Sequence, residues 1–381
     1  PRGCRRLGLR GKSNLNRQVQ QTGTAEDARP IVKALFTYPI KSCRGVELPA
    51  SEVESSGLRY DRLFCFAQQL PRSEKDKAAG EDRWRFITQR EFPKLALLQT
   101  ELWIPEPKRQ PPTAKGFDWA AQGGCVVISF PHEPSLNALG LRTQRVNIVI
   151  PLTPTSQRAE AKGYSYEQLS IWEDAARALN MTKEIDKSDL QKLAQFIGVR
   201  NPLALFRVDD SNKRPVTRCL PKDASGNDFR VGFGDAFPVN LMGLASVKAI
   251  DDSLPSDTSA KGQLDPTRFR ANFYITGTAP FTEDTWKKIT VGRRIGRNDK
   301  GLFECDAEYH VACRTARCKL PNVDQDTGVK DRNEPYTTLS KTRKVDTGAY
   351  PHPCLGMQTI PMFERGIIRV GDEVQILETG E

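Results

Sequence analysis

The chain has 381 residues, of which 38% are hydrophobic and 27% are charged, with 28 Gly and 26 Pro. This length predicts two or three domains, and the composition excludes collagen-like, coiled-coil and wholly disordered classes of protein. The longest apolar runs, such as residues 125–128, fall far short of the roughly 18 residues that a membrane-spanning helix requires. We therefore predict a globular chain with no transmembrane segment.

Half of the formal net charge of +10 comes from the first 30 residues, which hold seven basic side chains, two acidic ones and no aromatic residue. Nucleic-acid-binding surfaces interleave basic with aromatic residues on a compact face, so we predict no nucleic-acid partner. The first acidic residue is Glu26, and an Arg-rich leader of this kind resembles a mitochondrial transit peptide. A disordered basic arm explains the same composition equally well. The predicted location is therefore mitochondrial or, if the segment is only an arm, cytoplasmic.

The cysteine and histidine content limits the metal and nucleophile chemistry that the chain can supply. Nine Cys are scattered along the sequence, unlike the disulfide frameworks of short secreted domains. We therefore expect a reducing compartment, in which most thiols are small buried side chains and one is used chemically. Only three His are present, which gives little support to a three-His zinc site or a Ser-His-Asp triad.

The region between residues 30 and 150 is rich in predicted strands. Branched, aromatic and alternating apolar side chains predict strands at 31–40, 61–68, 85–88, 95–104, 125–130 and 146–150. Polar insertions at 71–82 and 105–116 are predicted to be solvated loops. Strands joined without intervening helices favour an antiparallel barrel or sandwich.

Residues 151–200 are predicted to form a helical bridge. A first helix is predicted over 166–180, where apolar side chains recur at helical spacing at Leu169, Trp172, Ala176 and Leu179. A second helix is predicted near Ser188, whose spacing to Gln191 resembles a capping box, and it should end at Gly198.

Strands return in the last part of the chain. They are predicted at 203–208, 271–276, 288–291 and 366–377, with one helix at 244–253. The predicted fold class is therefore α+β and β-rich.

Cys305, His310, Cys313 and Cys318 form the densest group of potential metal ligands. Zinc accepts three thiolates and an imidazole, but structural zinc sites favour Cys-x2-Cys spacing, which does not occur here. An iron–sulfur cluster requires a further Cys at the correct spacing. Buried or free thiols are the third interpretation, and the sequence pattern alone does not decide among the three.

Two further features surround this group. Asp324, Asp326 and Gly328 resemble part of a calcium loop, although an Asx-type turn closed by the glycine explains them equally well. Positive charge beside a thiol, as at Arg317 next to Cys318, favours the thiolate that ligates metals.

Basic side chains also occur at predicted strand ends. Lys41, Arg62, Arg90 and Arg270 are either ligands of a phosphate or ordinary solvated charges. No Walker loop or G-x-G-x-x-G motif accompanies them, so a nucleotide site of those kinds is not predicted.

Short motifs occur in a fixed order from about residue 31 to the C-terminus. The first group is Tyr38-Pro39-Ile40-Lys41-Ser42-Cys43-x-Gly45, Gly57-Leu58-x-x-Asp61-Arg62 and Thr88-Gln89-Arg90-x-x-Pro93. The second is Asp235-x-x-Pro238 through Ala245-Ser246, Arg268-Phe269-Arg270-Ala271-Asn272, Glu283-Asp284-x-Trp286, Cys318 with Val323-Asp324-x-Asp326-Thr327-Gly328, and Gly371-Asp372-x-Val374. Together they resemble MOSC proteins with an N-terminal MOSC β-barrel domain, and within these the mitochondrial amidoxime-reducing type.

The resemblance implies a domain order and a cofactor. We expect a basic disordered tail at 1–30, the N-terminal β-barrel domain at 31–150, the helical bridge at 151–200 and the MOSC domain, a second β-barrel packed on the first, at 201–381. The cofactor implied is the molybdenum cofactor, a pterin dithiolene that holds Mo, with Cys318 as the metal ligand and catalytic residue. The residues implied to bind the cofactor are Lys41, Ser42, Arg62, Asp235, Phe237, Arg270, Asn272 and Arg317.

The same resemblance implies an activity and its partners. We expect a molybdenum oxidoreductase that reduces small N-hydroxylated compounds of the amidoxime type. Cytochrome b5 and cytochrome b5 reductase are the electron donors that the resemblance implies. Two alternatives remain: a sulfur carrier or cofactor-maturation protein, in which Cys318 bears a persulfide, and a non-catalytic cofactor-binding protein.

Some residues depart from the family pattern. The family commonly has Cys-x2-Cys at the ligand, whereas here Cys313 and Cys318 are separated by four residues. Ala316 replaces a usual Ser, and Gln358 stands where a Tyr is expected. Insertions at 71–82, 105–116 and 209–228 are also larger than usual in the family, and we expect them to affect substrate access and partner docking more than cofactor binding.

Overall fold

The computed structural model describes residues 1–15, 29–71, 83–106, 118–132, 144–172, 174–221, 228–295, 302–303 and 307–380. In the first part of this chain the strands are β1 Cys4–Leu7, β2 Ile31–Thr37, β3 Val46–Leu48, β4 Ala50–Glu54, β5 Gly57–Leu58, β6 Phe64–Leu70, β7 Arg83–Phe86, β8 Gln99–Pro105, β9 Cys125–His132, β10 Gln144–Pro151, β11 Ser165–Ile171 and β12 Asp174–Asn180.

The later strands are β13 Leu203–Val208, β14 Arg214–Pro215, β15 Arg230–Val231, β16 Val239–Gly243, β17 Phe273–Thr276, β18 Trp286–Gly292, β19 Arg294–Ile295, β20 Leu302–Phe303, β21 Glu308–Ala316, β22 Cys354–Pro361, β23 Arg365–Arg369 and β24 Glu373–Thr379. The α-helices of the described residues are α1 Ser156–Lys162, α2 Lys187–Ile197, α3 Leu244–Ser253 and α4 Tyr336–Thr342. Across the same residues, no helix combines the length and apolar character needed to cross a bilayer.

Two closed barrels organise these strands. Strands β6, β7, β11, β12 and β13 close the first barrel, in which β7 and β11 run parallel. Strands β2, β16, β17, β18, β21, β22 and β24 close the second, because β17 pairs with β2 as well as with β16. A separate four-stranded sheet has the order β1-β8-β9-β10. This architecture confirms the predicted β-rich α+β fold with two β-barrels.

Apolar side chains fill both barrels. In the first, β13 is buried along its whole length, and the Phe206 ring packs edge-on against Trp84 with centroids 5.5 Å apart. In the second, Leu35, Phe273 and Ile289 belong to one buried cluster. Burial of such a side chain stabilises the fold by about 1.5–3 kcal/mol relative to exposure. The packed interiors leave the strand ends and their loops free to carry polar groups.

The strands do not respect the predicted domain boundaries. Strand β2 lies within the predicted N-terminal domain but belongs to the second barrel, where β3 pairs with it, whereas β11, β12 and β13 complete the first barrel from residues 165–208. The segment 151–200 contains α1 and α2, but the hairpin β11–β12 between them is part of a barrel. Long-range strand exchange of this kind leaves no local signal in the sequence.

The predicted helix at 166–180 is wrong. This segment is the β11–β12 hairpin, in which Leu169, Ile171, Ala176 and Ala178 are buried in alternation. The spacing of the apolar residues fits the period of a strand as well as that of a helix. A helix could not continue through Trp172, which lies at the tip of the hairpin with φ +56°. The strand conformation is stabilised because each strand of the hairpin has a further hydrogen-bonded neighbour in the first barrel. Strand β11 pairs with β7, and β12 pairs with β13.

Two other helices agree with the sequence prediction. Helix α3 has the predicted limits. Helix α2 ends as expected at Gly198, which adopts the left-handed conformation with φ +92°. Its N-cap is Asp186 and not the capping box predicted at Ser188.

The basic N-terminal segment is partly ordered. Cys4–Leu7 pairs with β8 as an edge strand, which corrects the expectation of a disordered arm for these residues. Leu9 continues the contact by donating its backbone N–H to the carbonyl of Glu47 at 2.7 Å. Residues 16–28 lie outside the described part of the chain, as do most of the predicted polar loops.

Gly57 of β5 provides a test of the contact between this strand and Pro238, the residue before β16. It has φ +115°, and a Cβ here would collide with the carbonyl oxygen of Pro238. Gly57→Ala should lower the free energy of unfolding by about 2–4 kcal/mol, combining backbone strain with overpacking. Gly262 is the matched control, since its φ is +77° and no atom lies within 4 Å of an added Cβ.

The measurement is urea denaturation of both variants. Gly262→Ala should lose only about 1 kcal/mol, because it suffers the strain without the collision. Equal losses in the two variants would contradict the close approach of β5 to Pro238.

Candidate functional site

A cavity of about 420 Å³ lies where the two barrels meet. Residues of both barrels line it: the turn after β2, the tip of the β11–β12 hairpin, the loop before β16 and the end of β21. Every site residue implied by the sequence lines this one cavity: Lys41, Ser42, Arg62, Asp235, Phe237, Arg270, Asn272, Arg317 and Cys318. The structure therefore brings together residues that are up to 277 positions apart.

Cys318 is a partly exposed free thiol in the cavity wall. It lies two residues beyond β21, just before a short 3-10 helix at Leu320–Asn322. The adjacent Arg317 guanidinium is close enough to interact electrostatically with it. A soft, accessible sulfur beside a fixed positive charge is suited to hold a metal.

Arg62 and Arg270 form a cationic pair in the cavity wall. Arg62 Nη1 forms an ion pair with the Asp61 carboxylate, and its Nη2 donates to the backbone carbonyl of Arg270 at 2.9 Å. Arg270 Nη1 donates to the carbonyl of Cys43 at 2.7 Å. The Arg62 and Arg270 guanidinium carbons lie 4.7 Å and 4.2 Å from the centroid of the Tyr38 ring. This ring and the carbonyls fix both cations in place.

Among the residues that the structure describes, backbone and amide oxygens accept the hydrogen bonds of the Arg317 guanidinium. Its Nε donates to the carbonyl of Leu355 at 2.8 Å, and its Nη1 donates to that of Phe269 at 2.9 Å. Burial lowers the pKa of Arg317 to about 10, so it remains charged at neutral pH. Burial also lowers the pKa of Arg270 from its ordinary value. Both cations are therefore buried, and no carboxylate of the described residues is hydrogen-bonded to either of them.

Lys41 crosses from its turn to the loop of residues 232–237. Its Nζ donates to the carbonyl of Phe233 at 2.9 Å and pairs with the Asp235 carboxylate at 2.5 Å. Burial lowers the pKa of the Lys41 ammonium. Burial would raise the pKa of the Asp235 carboxyl, but the charge and hydrogen bond of Lys41, the charge of Arg62 and the hydrogen bond from Trp172 together hold that pKa below its usual range. The pair fixes the loop that ends at Phe237 against the cavity.

Asn272 links the elements of the site through its side chain. Its Oδ1 accepts from the backbone N–H of Asn240 at 3.1 Å, and its Nδ2 donates to the carbonyl of Phe36 at 3.1 Å. Asn240 in turn donates from Nδ2 to Thr315 Oγ1 at 2.6 Å. Strands β2, β16 and β21 are thereby held in register at the cavity floor.

The segment after Cys318 is an Asx-type turn. Asp324 Oδ1 accepts from the backbone N–H groups of Asp326 at 3.0 Å and Thr327 at 2.8 Å, and Gly328 closes the turn with φ +65°. The other carboxylate oxygen pairs with Arg268 Nη2 at 2.5 Å. The carboxylate is used to orient an arginine, and no group of three metal-ligating side chains is found among the described residues. Cys305 lies outside them.

Backbone strain is concentrated at this cavity. Five of its lining residues other than Gly have φ between 45° and 66°, namely Ser42, Arg62, Trp172, Cys219 and Arg270. A residue of this kind costs of order 1–3 kcal/mol and persists only where its surroundings hold it. Ser42 shows how: its carbonyl accepts from Gln89 Nε2 at 2.8 Å, and Gln89 also accepts from Gln325 Nε2 at 3.0 Å.

Arg268, Asn240 and Trp172 are three of the lining residues that were absent from the predicted site. Arg268 is 4% exposed and stands in the same motif as Arg270, so the motif could have revealed it. Asn240 has no such signal. Trp172 was placed on a helix, yet its Nε1 donates to Asp235 Oδ1 at 3.2 Å, and Arg90 lies 4.4 Å from its ring centroid.

The charge balance of the lining shows what the cavity can bind. Eight Arg or Lys side chains and three Asp side chains line it. Of these cations, Arg270 has an Nη2 atom that is buried without a hydrogen-bond acceptor among the described residues. An excess of positive charge with an unused donor recognises a ligand that carries a phosphate or another anionic group. The cavity thus combines an anion-binding wall with one accessible thiol.

Two family models match most of this sequence. A model of the MOSC N-terminal beta barrel domain matches residues 29–187, and a model of the MOSC domain matches residues 228–375. The chain is 24% identical to mitochondrial amidoxime-reducing component 1 of Mus musculus, over 97% of this chain and 86% of that protein. It is also 24% identical to its namesake from Homo sapiens, over 95% of this chain and 85% of that protein.

A second group of relatives has another name. The chain is 24% identical to the molybdenum cofactor sulfurase of Pyricularia oryzae, over 86% of this chain and 38% of that protein. The two domain models together cover most of the sequence, and the chain belongs to the MOSC proteins that carry an N-terminal MOSC β-barrel domain.

Proposed function

We propose that this protein is a molybdenum-cofactor-dependent oxidoreductase that reduces small N-hydroxylated compounds of the amidoxime type. The observation that carries the proposal is the pairing of the Cys318 thiol with a wall of buried cations in one cavity. A pterin dithiolene cofactor presents a phosphate and a soft metal, and the two parts of the cavity match these two parts of the ligand. The names of the amidoxime-reducing relatives support the same activity.

The residues present fit this cofactor. The Arg270 Nη2 atom has no acceptor among the described residues, and the Arg270 and Arg317 guanidiniums are hydrogen-bonded to uncharged oxygens. A phosphate would supply the missing acceptor and the missing negative charge together. The volume of about 420 Å³ lies within the range of small-molecule and cofactor sites.

In this proposal each residue has a definite task. Cys318 would provide the protein thiolate for the metal, and Arg62, Arg270 and Arg317 would bind the anionic groups. Lys41 and Asp235 would hold the 232–237 loop so that its backbone faces the ligand. When bound, the cofactor supplies the two-electron chemistry that converts an N–OH group and two protons to N–H and water.

Trp172 would act on access to the site. The hairpin tip lies over the cavity, where the indole contacts both Arg90 and Asp235. A rigid aromatic side chain at the mouth restricts water and orients flat substrates against it. We further propose cytochrome b5 and cytochrome b5 reductase as the electron donors. We also propose a mitochondrial location, and the names of the relatives support this location.

The second candidate is a sulfur-carrying role in cofactor maturation. It is favoured by the sulfurase relatives and by the same accessible thiol, which could carry a persulfide. The metal content of the purified protein separates the two candidates. About one Mo per chain supports the oxidoreductase, whereas sulfane sulfur on Cys318 without Mo supports the carrier.

Replacement of the thiol tests the oxidoreductase directly. Cys318→Ser should lose Mo, and the reduction of an aryl amidoxime should fall to background, because a hydroxyl is a harder and poorer ligand for this metal. Elemental analysis and turnover with a cytochrome b5 donor system are the measurements. Cys313→Ser, assayed under reducing conditions, is the control and should keep both the metal and the activity. Retention of Mo by Cys318→Ser would overturn the assignment of the ligand.

The anion-binding wall can be tested without any metal. Arg270→Met removes a buried cation that lacks a carboxylate, so the cofactor-free protein should be as stable as the parent or more stable. Its affinity for inorganic phosphate or pyrophosphate should fall about tenfold, because one charge-assisted hydrogen bond is lost. Thermal denaturation at increasing anion concentration measures both effects.

The matched control is Arg158→Met, far from the cavity. Arg158 pairs with Glu184 at 2.5 Å, so this variant should destabilise the protein and leave the anion-induced shift unchanged. An undiminished shift in Arg270→Met would contradict the role of Arg270.

A further inference from the structure

Two cysteines lie side by side at the edge of the cavity. Cys219 is exposed, Cys313 is partly buried, and both line the same cavity as Cys318. The Cys313 thiol lies close enough to the Cys219 thiol for the two groups to interact electrostatically. Neither of these two thiols has a task in the proposed function.

A β-bulge in β21 turns the Cys313 side chain toward the loop that carries Cys219. Along β21, His310 pairs with Ile360 and Cys313 pairs with Gln358, which leaves Ala312 as the additional residue. One additional residue turns His310 and Cys313 to the same face of the strand. His310 Nε2 contacts the backbone carbonyl of Cys219 at 3.1 Å, so the loop with Cys219 lies against this face.

Apolar packing fixes the same loop. Val216 and Phe229, on either side of Cys219 in the sequence, form a buried cluster with Ile360 of β22. Ala312 and Phe237 pack against this cluster. Cys219 itself is held at φ +52°, so its thiol is presented in a defined direction. The pairing of the two thiols therefore follows from the packing of the loop.

We propose that Cys219 and Cys313 form a reversible disulfide at the mouth of the cavity, with a hydroperoxide as the oxidant. The exposed Cys219 attacks the peroxide oxygen and becomes a sulfenic acid, releasing water or an alcohol. The Cys313 thiol then forms the S–S bond and a second molecule of water leaves. Two thiols lose two electrons and two protons in total, and the peroxide O–O bond is cleaved. A thiol reductant reverses the reaction.

The order of these steps follows from the environments. Burial, together with the neighbouring Cys219 thiol, raises the pKa of Cys313 to about 12, so this group stays a thiol and does not meet the oxidant first. The bond would join the loop that carries Arg218 to the strand that leads to Cys318. Oxidation therefore braces one side of the cavity mouth.

Peptide mapping of the full chain tests the proposal. The protein is treated with a small excess of hydrogen peroxide, alkylated with N-ethylmaleimide without reduction, and digested with trypsin and chymotrypsin. We expect a peptide beginning at Cys219 to be linked to the peptide His310–Arg314, two hydrogen atoms lighter than their sum. The linked peptide should disappear when the sample is reduced.

Variants identify the two sulfurs. Cys219→Ser changes an exposed side chain and should abolish the link, as should Cys313→Ser. Cys305→Ser is the control, because Cys305 lies in the same tryptic peptide as Cys313, and this variant should retain the link. The proposal is overturned if Cys219 becomes a sulfinic acid or links to Cys318 while Cys313 remains alkylated. The readout is a mass, so it is independent of metal content and of the proposed activity.

Discussion

Buried positive charge that has no hydrogen-bonded carboxylate among the described residues is the constraint on which the site depends. The guanidiniums of Arg270 and Arg317 are about nine-tenths buried and are hydrogen-bonded to the carbonyls of Cys43, Phe269 and Leu355. Carbonyl dipoles compensate a buried charge only in part, and the remaining cost falls on the stability of the ligand-free protein. An anionic ligand recovers that cost. The free-energy cost of burying Arg270 and Arg317 therefore favours the binding of an anion, because the anion removes that cost.

The topology explains why such a cluster can exist at this place. Strand β2 belongs to the second barrel, yet Lys41 just beyond it donates its backbone N–H at 2.8 Å to Phe64 at the start of β6 in the first. The two barrels thus meet at Lys41 and Ser42, and the cationic side chains gather at this contact. Polar groups here displace no packed core. Strained residues such as Ser42 and Arg62 persist because both barrels hold them.

The sequence predicted the β-rich fold class and selected residues that the structure places in one cavity, while their role in binding stays a prediction. Lys41, Arg62, Arg270 and Cys318 were selected because each stands in a short motif, which is visible in a few neighbouring residues. The division of strands between the barrels was not predicted, because pairing such as β2 with β17 is non-local and leaves no period in the sequence. Trp172 was missed because the apolar residues around it fit either a helix or a strand. Only the non-local pairing of the hairpin with the first barrel distinguishes the two.

The proposed binding of an anion at this wall also bears on the choice between the two candidate functions. A sulfur carrier must release the cofactor after each transfer, whereas an oxidoreductase must retain it through many turnovers. Each charge-assisted hydrogen bond slows dissociation, and this wall offers donors from several separate chain segments. Arg268, oriented by Asp324, adds a further buried cation to the same wall. A wall of this kind favours a resident ligand, and it supports the proposal that Cys318 completes a permanent metal site.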